Sequence, residues 1–277
     1  MTHVMSKLHA SAFALVAASS LVIGCQSDLP EEEPTARIDL RSALNVGAVS
    51  AIGVAVAPDT GAWVLFDEQS GIYELDAAGS ATMVMDVGSI PSPEGIRYPF
   101  TDIVALGQGE FAITAIGDGF LLNVAEGTLT QHFCYVPDGL PAEMDQRADA
   151  LTYDSERQVL LAQPQTFDAF SGDLVTSQIA IYDRVTGTDL EWHDVGDATF
   201  IAGGMVVEAD GNVLLGEGSN LHRFHMPTRT MFTIDTLSRF GVGSVDGLAI
   251  DRNSQSLLVM DNTHDELVVI SLNQLGD

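Results

Sequence analysis

Five segments of the chain superimpose without gaps: Ile52–Asp59 (IGVAVAPD), Asp102–Gly109 (DIVALGQG), Asp149–Glu156 (DALTYDSE), Gly203–Asp210 (GGMVVEAD) and Asp246–Asn253 (DGLAIDRN). Their starts are 50, 47, 54 and 43 residues apart. After a turn rich in Gly, Asp, Asn or Ser, each is followed by a second apolar run: Trp63–Phe66, Phe111–Thr114, Val159–Leu161, Val213–Leu215 and Leu257–Met260. A run, a turn and a run predict a hairpin. A third run follows in every unit (Ile72–Leu75, Phe120–Asn123, Ile179–Tyr182, Leu221–Phe224, Leu267–Ile270) and a fourth in all but the last. No stretch has the length and periodicity of a long amphipathic helix. The chain is therefore expected to be all-β. Four-stranded antiparallel sheets recurring at this period are the mark of a β-propeller, whose blades bury their faces only against each other. The count is five blades, or six if a degenerate unit hides in residues 160–200. The last unit lacks its outer strand, while Ala36–Leu40 (ARIDL) precedes the first unit without a partner. Pairing the two closes the ring and removes the open edges that invite aggregation.

The N-terminus reads as an address. Lys7 and two histidines precede a small, apolar run from Ala10 to Ile23, which is shorter than the roughly 20 residues of a spanning helix. The run ends in Val22-Ile23-Gly24-Cys25, which resembles the lipobox of bacterial lipoproteins. The resemblance implies cleavage before Cys25 and lipidation of its thiol; the alternatives are an ordinary secretory signal or a short membrane span with a cysteine there by accident. Gln26 and Ser27 after the cysteine resemble an outer-membrane address rather than an inner-membrane one in a Gram-negative cell. Residues 1–24 are thus expected to be a signal, 25–36 an acylated acidic tether with Pro and three consecutive Glu, and 37–277 the folded domain in the cell envelope.

Lys7 is the only lysine, so the chain from Cys25 onward has 10 arginines against 39 acids, a formal charge near −29. Such a surface repels nucleic acid and anionic headgroups, leaving the lipid anchor as the expected membrane contact, with cations and basic partners compatible. Acids spread evenly for solubility are the other reading of that charge. A monomer is expected. With Cys25 acylated, Cys134 cannot form an internal disulfide, and its strand-like surroundings (QHFCYV) suggest a buried small hydrophobe rather than a reactive thiol.

Ser244-Val-Asp-Gly-Leu-Ala-Ile-Asp251, followed by Leu257-Leu-Val-Met-Asp-Asn262, resembles the blade core of NHL-repeat propellers and is similar to gluconolactonase-like (senescence marker protein) propellers. The resemblance is clearest over residues 244–272. It implies a metal at one end of the channel, with Asp246 matching the family's aspartate ligand. Ile52 stands where that family has a glutamate, and no Asn begins another inner strand.

Propeller topology also sorts the loops. Tight turns such as Asp59-Thr-Gly61 and Asp210-Gly-Asn212 open on one face, and the long segments 88–101, 137–148, 164–177 and 236–245 on the other. Long loops on a rigid scaffold commonly carry function. On that face begin the inner strands, at Ile52, Asp102, Asp149, Gly203 and Asp246, with Asp67, Glu68, Glu217, Asp261 and Asn262 at the ends of the second strands as a rim. Three carboxylates at one mouth repel unless something positive joins them. Ca²⁺ or another divalent cation held by Asp102, Asp149 and Asp246 answers that need; so does the local use of each carboxylate as a cap for backbone N–H groups. His222 and His225, three apart on a strand, point to opposite faces and cannot share a zinc. His264 is expected to be solvated. There is neither Gly-x-Ser-x-Gly nor a phosphate-cradling glycine loop before a helix, and Gly241-Val-Gly243 reads as a turn.

Two functions fit: a non-catalytic envelope module that binds a protein, peptide or glycan through the loop-rich face, and a divalent-cation-dependent lactonase or esterase.

Overall fold

The computed structural model describes residues 32–76, 78–91, 100–115, 118–134, 144–196 and 200–276. The signal, Cys25 and most of the tether lie outside them. Five four-stranded antiparallel sheets form a five-bladed β-propeller. Blade 1 holds β2 (Ala51–Val56), β3 (Trp63–Asp67), β4 (Gly71–Leu75) and β5 (Ala81–Asp86). Blade 2 holds β6 (Phe100–Gly107), β7 (Glu110–Ala115), β8 (Asp118–Asn123) and β9 (Thr128–Cys134). Blade 3 holds β10 (Met144–Asp154), β11 (Val159–Asp168), β12 (Leu174–Asp183) and β13 (Asp189–Asp194), so residues 160–200 conceal no sixth unit. Blade 4 holds β14 (Gly204–Val207), β15 (Val213–Glu217), β16 (Asn220–His225) and β17 (Thr230–Thr236). Blade 5 is completed across the chain ends: β18 (Gly247–Asp251), β19 (Ser256–Asp261) and β20 (Glu266–Ser271) are joined by β1 (Ala36–Asp39), with Ala36 opposite Val269 and Asp39 opposite Glu266.

The hairpin turns are written in the sequence. In Asp154-Ser-Glu-Arg-Gln158 the Asp154 carboxylate accepts from the N–H groups of Glu156 and Arg157; in Asp251-Arg-Asn-Ser-Gln255, Asp251 accepts from those of Asn253 and Ser254. The residue that returns the chain, Gln158 or Gln255, is left-handed, at φ 58° and 52°. Short polar side chains favour such turns because they stand in for a backbone acceptor.

Each pair of neighbouring blades encloses its own apolar cluster. Phe66 and Ile72 of blade 1 pack with Ile103 and Phe111 of blade 2, Ala112 and Phe133 of blade 2 with Leu160 and Tyr182 of blade 3, and Leu161 and Ile179 of blade 3 with Leu215 and Phe224 of blade 4. Leu214 and Leu221 then meet Leu257 and Val268, and Met260 and Leu267 meet Leu65 and Tyr73. With no central core, stability is carried by five interfaces, and ring closure supplies the fifth.

That closure differs in one detail from the sequence expectation. Leu40 is not strand but the first residue of a short helix, α1 (Leu40–Leu44), capped by Asp39, whose carboxylate accepts from Ser42 N at 3.1 Å. Leu40 and Leu44 are buried in the interface of blades 5 and 1. The two chain ends are also knitted together. Glu32 N donates to Arg239 O at 2.8 Å, Gln274 Nε2 to Glu33 O at 3.2 Å and Gly276 N to Asp235 Oδ2 at 3.0 Å. Arg239 grips Asp235 through two nitrogens and pairs with Glu32.

Candidate functional site

Where the inner strands begin, neighbouring blades approach each other closely. A Cβ on Gly53 would lie 2.3 Å from Asp102 Oδ1 and 2.8 Å from Ile103 N, and one on Gly204 would lie 2.6 Å from Leu248 N. Only glycine permits such contact. Asp102 is 3% exposed and laces three blades: Oδ1 abuts Gly53 of blade 1 and accepts from Ile103 N at 2.7 Å, while Oδ2 accepts from Leu151 N of blade 3 at 2.7 Å. Burial pushes its carboxyl well above the usual range; the two N–H donors pull it back, and nearby Asp149 pushes it up again. Asp149 sits at a bulge in β10 and is likewise raised, mainly by burial. The positive partner that the sequence left open is Arg147, with Nε 3.3 Å from Asp149 Oδ2. Two residues apart on a strand, they share a face, and the guanidinium also lies over the Phe167 ring at 4.5 Å.

Asp246 belongs to a different group. It accepts from Asn262 N at 2.9 Å and, weakly, from Ser244 Oγ at 3.5 Å; burial and, after the Asn262 N–H opposes it, nearby Asp261 raise its carboxyl. Asn262 Nδ2 reaches across to Ala51 O at 2.6 Å and ties blade 5 to blade 1. The structure thus brings Asp102 and Asp149 together and places Asp246 with Asp261. Among the described residues, no three of His, Cys, Asp or Glu gather as a group that could hold a metal ion.

The rim residues are mostly fasteners. Asp67 and Asp261 end the second strands of blades 1 and 5 and are both fully buried. Asp67 accepts from Ser50 N, Gln69 N, Ser70 N and Ser70 Oγ, between 2.7 and 3.1 Å. Asp261 accepts from Gly243 N, Ser244 N and Thr263 N, and from His264 Nδ1 at 2.7 Å. Its own burial works against ionisation, yet these donors hold its carboxyl below the usual range. His264 is half-exposed, as expected, and is also anchored by this contact. Glu68 accepts from Ser50 Oγ, and Glu217 lies 3.7 Å from His222 Nε2. His222 is buried with Nδ1 on Thr233, while His225 bonds Thr228 in the open.

Three expectations need correction. Segment 164–177 is not a loop: β11 and β12 continue through it, leaving Ala169–Asp173 as their connection, and Met144–Ala148 of the 137–148 segment is also strand. The run reads Gln163-Pro-Gln165-Thr, which breaks up the apolar pattern of a strand and resembles a loop in sequence. Cys134 is exposed, because Phe133 takes the inward position on the outer strand β9 and its neighbour points out. A buried polar network was also missed. Gln163, fully buried, accepts from Ala202 N at 2.8 Å and donates to Ser177 Oγ at 2.9 Å, joining blade 3 to the approach of blade 4; Gln165 donates to Gln163 Oε1 at 3.3 Å. Alternate glutamines in a strand were the available signal.

The longer part of blade 3 pairs Met144–Ala148 with Pro164–Asp168, roughly 17 Å of strand at about 3.4 Å per residue. Phe170 at its tip is 86% exposed and Val175 is 40% exposed. No helix among the described residues is long and apolar enough to cross a membrane.

No family model and no curated protein sequence matches the chain. Solved structures do. A gluconolactonase from Xanthomonas campestris is 11% identical with a TM-score of 0.50, over 80% of this chain and 86% of that one. The extracellular domain of a one-component system from B. thetaiotaomicron is 13% identical with a TM-score of 0.46, over 80% of this chain; the match spans 27% of that longer chain. A mitotic checkpoint complex structure gives 11% identity and a TM-score of 0.44 over 97% of this chain and 98% of that one. At such identities the likeness is one of fold, and propellers serve many functions.

Proposed function

We propose that the chain is a cell-envelope binding module, lipid-anchored through Cys25 in an outer membrane, that takes up a protein, peptide or glycan through its loop-rich face. The observation that carries this reading is the longer strand pair of blade 3, whose connection exposes Phe170. An exposed aromatic on an ordered element contributes contact area at little entropic cost. The acidic surface favours a partner with basic groups.

The lactonase alternative needs a cation held by Asp102, Asp149 and Asp246. The donor set does not fit one: Asp102 has both oxygens engaged by N–H groups, Asp149 is paired with Arg147, and Asp246 stands with Asp261 instead. The melting temperature is accordingly expected to be unchanged by millimolar Ca²⁺, Mg²⁺ or Mn²⁺, since a specific ion would raise it by mass action. A rise of several degrees that Asp246→Ala abolishes would restore the hydrolase.

Binding is tested by cross-linking the anchored protein in whole envelopes and comparing wild type with Phe170→Asp. The substitution is expected to remove one or more cross-linked species with no change in melting, as exposed positions rarely affect stability by more than about 0.5 kcal/mol. An identical set of species would end this reading. Cys25→Ser is expected to abolish acyl labelling and release the protein from the membrane fraction.

A further inference from the structure

In blades 1, 2 and 4 the outer strand covers the third from end to end, so that every residue of β4, β8 and β16 has a partner on β5, β9 and β17. Blade 3 departs from that pattern. Its third strand, β12 (Leu174–Asp183), pairs with β11 as far as Leu174, but β13 covers it only from Gln178 to Tyr182. One further bond, from Val195 N to Ser177 O at 3.2 Å, ends the contact. There the chain leaves the edge, with Val195 buried in the seam between blades 3 and 4. Among the described residues, no strand lies beside Leu174–Thr176 on the side away from β11. An uncovered edge offers backbone N–H and C=O groups to any strand that can lie beside it.

The surroundings select what can lie there. Val175 on the uncovered stretch and Phe170 in the β11–β12 connection are exposed apolar side chains. Asp173, just before Leu174, and Asp194, at the end of β13, are exposed acids. From Gln158 to Leu221 the only Lys or Arg is Arg184, which is ion-paired with Glu110. Arg147 on β10 is two strands away from β12 and is paired with Asp149. The edge is thus flanked by negative charge with no cation of its own, which favours a basic guest. The same acids disfavour a second copy of this chain, because two such edges laid together would crowd like charges.

We infer that the uncovered edge of β12 docks an extended, basic peptide segment of a partner protein, which adds to blade 3 as a short strand in line with β13. Strand addition draws affinity from main-chain hydrogen bonds and selectivity from alternate side chains. Here the guest sets apolar or β-branched residues beside Val175 and Lys or Arg toward Asp173 and Asp194. The inference rests on the reading of the chain as a binding module and narrows it to one class of ligand and one edge.

The test is selection of a displayed library of short random peptides on the full chain carrying Cys25→Ser, followed by calorimetric titration of the tightest one. A basic peptide that binds once per chain is expected, weakened on the order of ten-fold by Val175→Lys, which puts a like charge on the edge. Methylating the peptide's backbone nitrogens one at a time is expected to weaken it at alternate residues, since only every second N–H of an added strand faces its neighbour. Thermal melting verifies that the variant is folded; should Val175→Lys fail to fold, Asp173→Lys, at an exposed position, takes its place. If no peptide is selected, or N-methylation has no alternating effect, strand addition is overturned. A peptide lost with Phe170→Asp but kept by Val175→Lys overturns the edge while the wider binding reading stands. A chain that dimerises and becomes monomeric with Val175→Lys overturns the peptide as the occupant.

Discussion

Removing residues 32–44 is expected to leave a chain that no longer melts cooperatively. The deletion takes away β1, whose four residues pair with Val269 to Glu266, and the buried Leu40 and Leu44 of α1. The two leucines alone account for about 3–6 kcal/mol of burial, and the hydrogen bonds of β20 to β1 go with them. Small domains are stable by only about 5–15 kcal/mol, so the loss is comparable to the whole. The exposed edge of β20 would then offer a hydrophobic strand (Leu-Val-Val-Ile) to other chains. Circular dichroism on heating, with light scattering for aggregation, checks this. A trimmed chain that melts within a few degrees of the intact one would show that the ring does not depend on its clasp.

Asp67→Ala and Asp261→Ala are each expected to lower stability by about 3 kcal/mol, measured by urea denaturation. Each carboxylate is fully buried and serves four donors, and replacing it leaves several buried N–H groups without an acceptor. Hydrogen bonds to a charged group contribute about 1.5–3 kcal/mol apiece but are not additive within one network. Asp168→Ala is the control: it accepts comparable N–H bonds from Phe170 and Ser171, but in the open, where water replaces it. A cost below about 1 kcal/mol at both buried positions would mean that the loops they fasten are held by other contacts.

The architecture was legible because it repeats. Five copies of one run-turn-run pattern give the four-stranded blade, a count of five with a sixth left open in residues 160–200, and an outer strand at Ala36–Leu40, of which the structure pairs Ala36–Asp39. The site was legible only in part. Sequence locates Asp102, Asp149 and Asp246 at equivalent positions in three blades, but not where each carboxylate turns. Orientation depends on contacts between blades, such as Leu151 N meeting Asp102, and on the bulge at Asp149, and no local pattern encodes those. Arg147 could have been proposed, being two residues from Asp149. The longer strand pair of blade 3 was hidden by Gln163, Pro164 and Gln165, which suggest a loop until their burial is seen.

The knot of contacts at Arg239 has a mechanical meaning for a body held by its N-terminal end. Were the chain anchored through Cys25 as proposed, tension along the residues before Glu32 would meet the ionic grip of Arg239 on Glu32 and Asp235 ahead of the strand that fastens the ring. Arg239 would then act as a strain relief, as the collar on a cable does, and keep β1 from being peeled away.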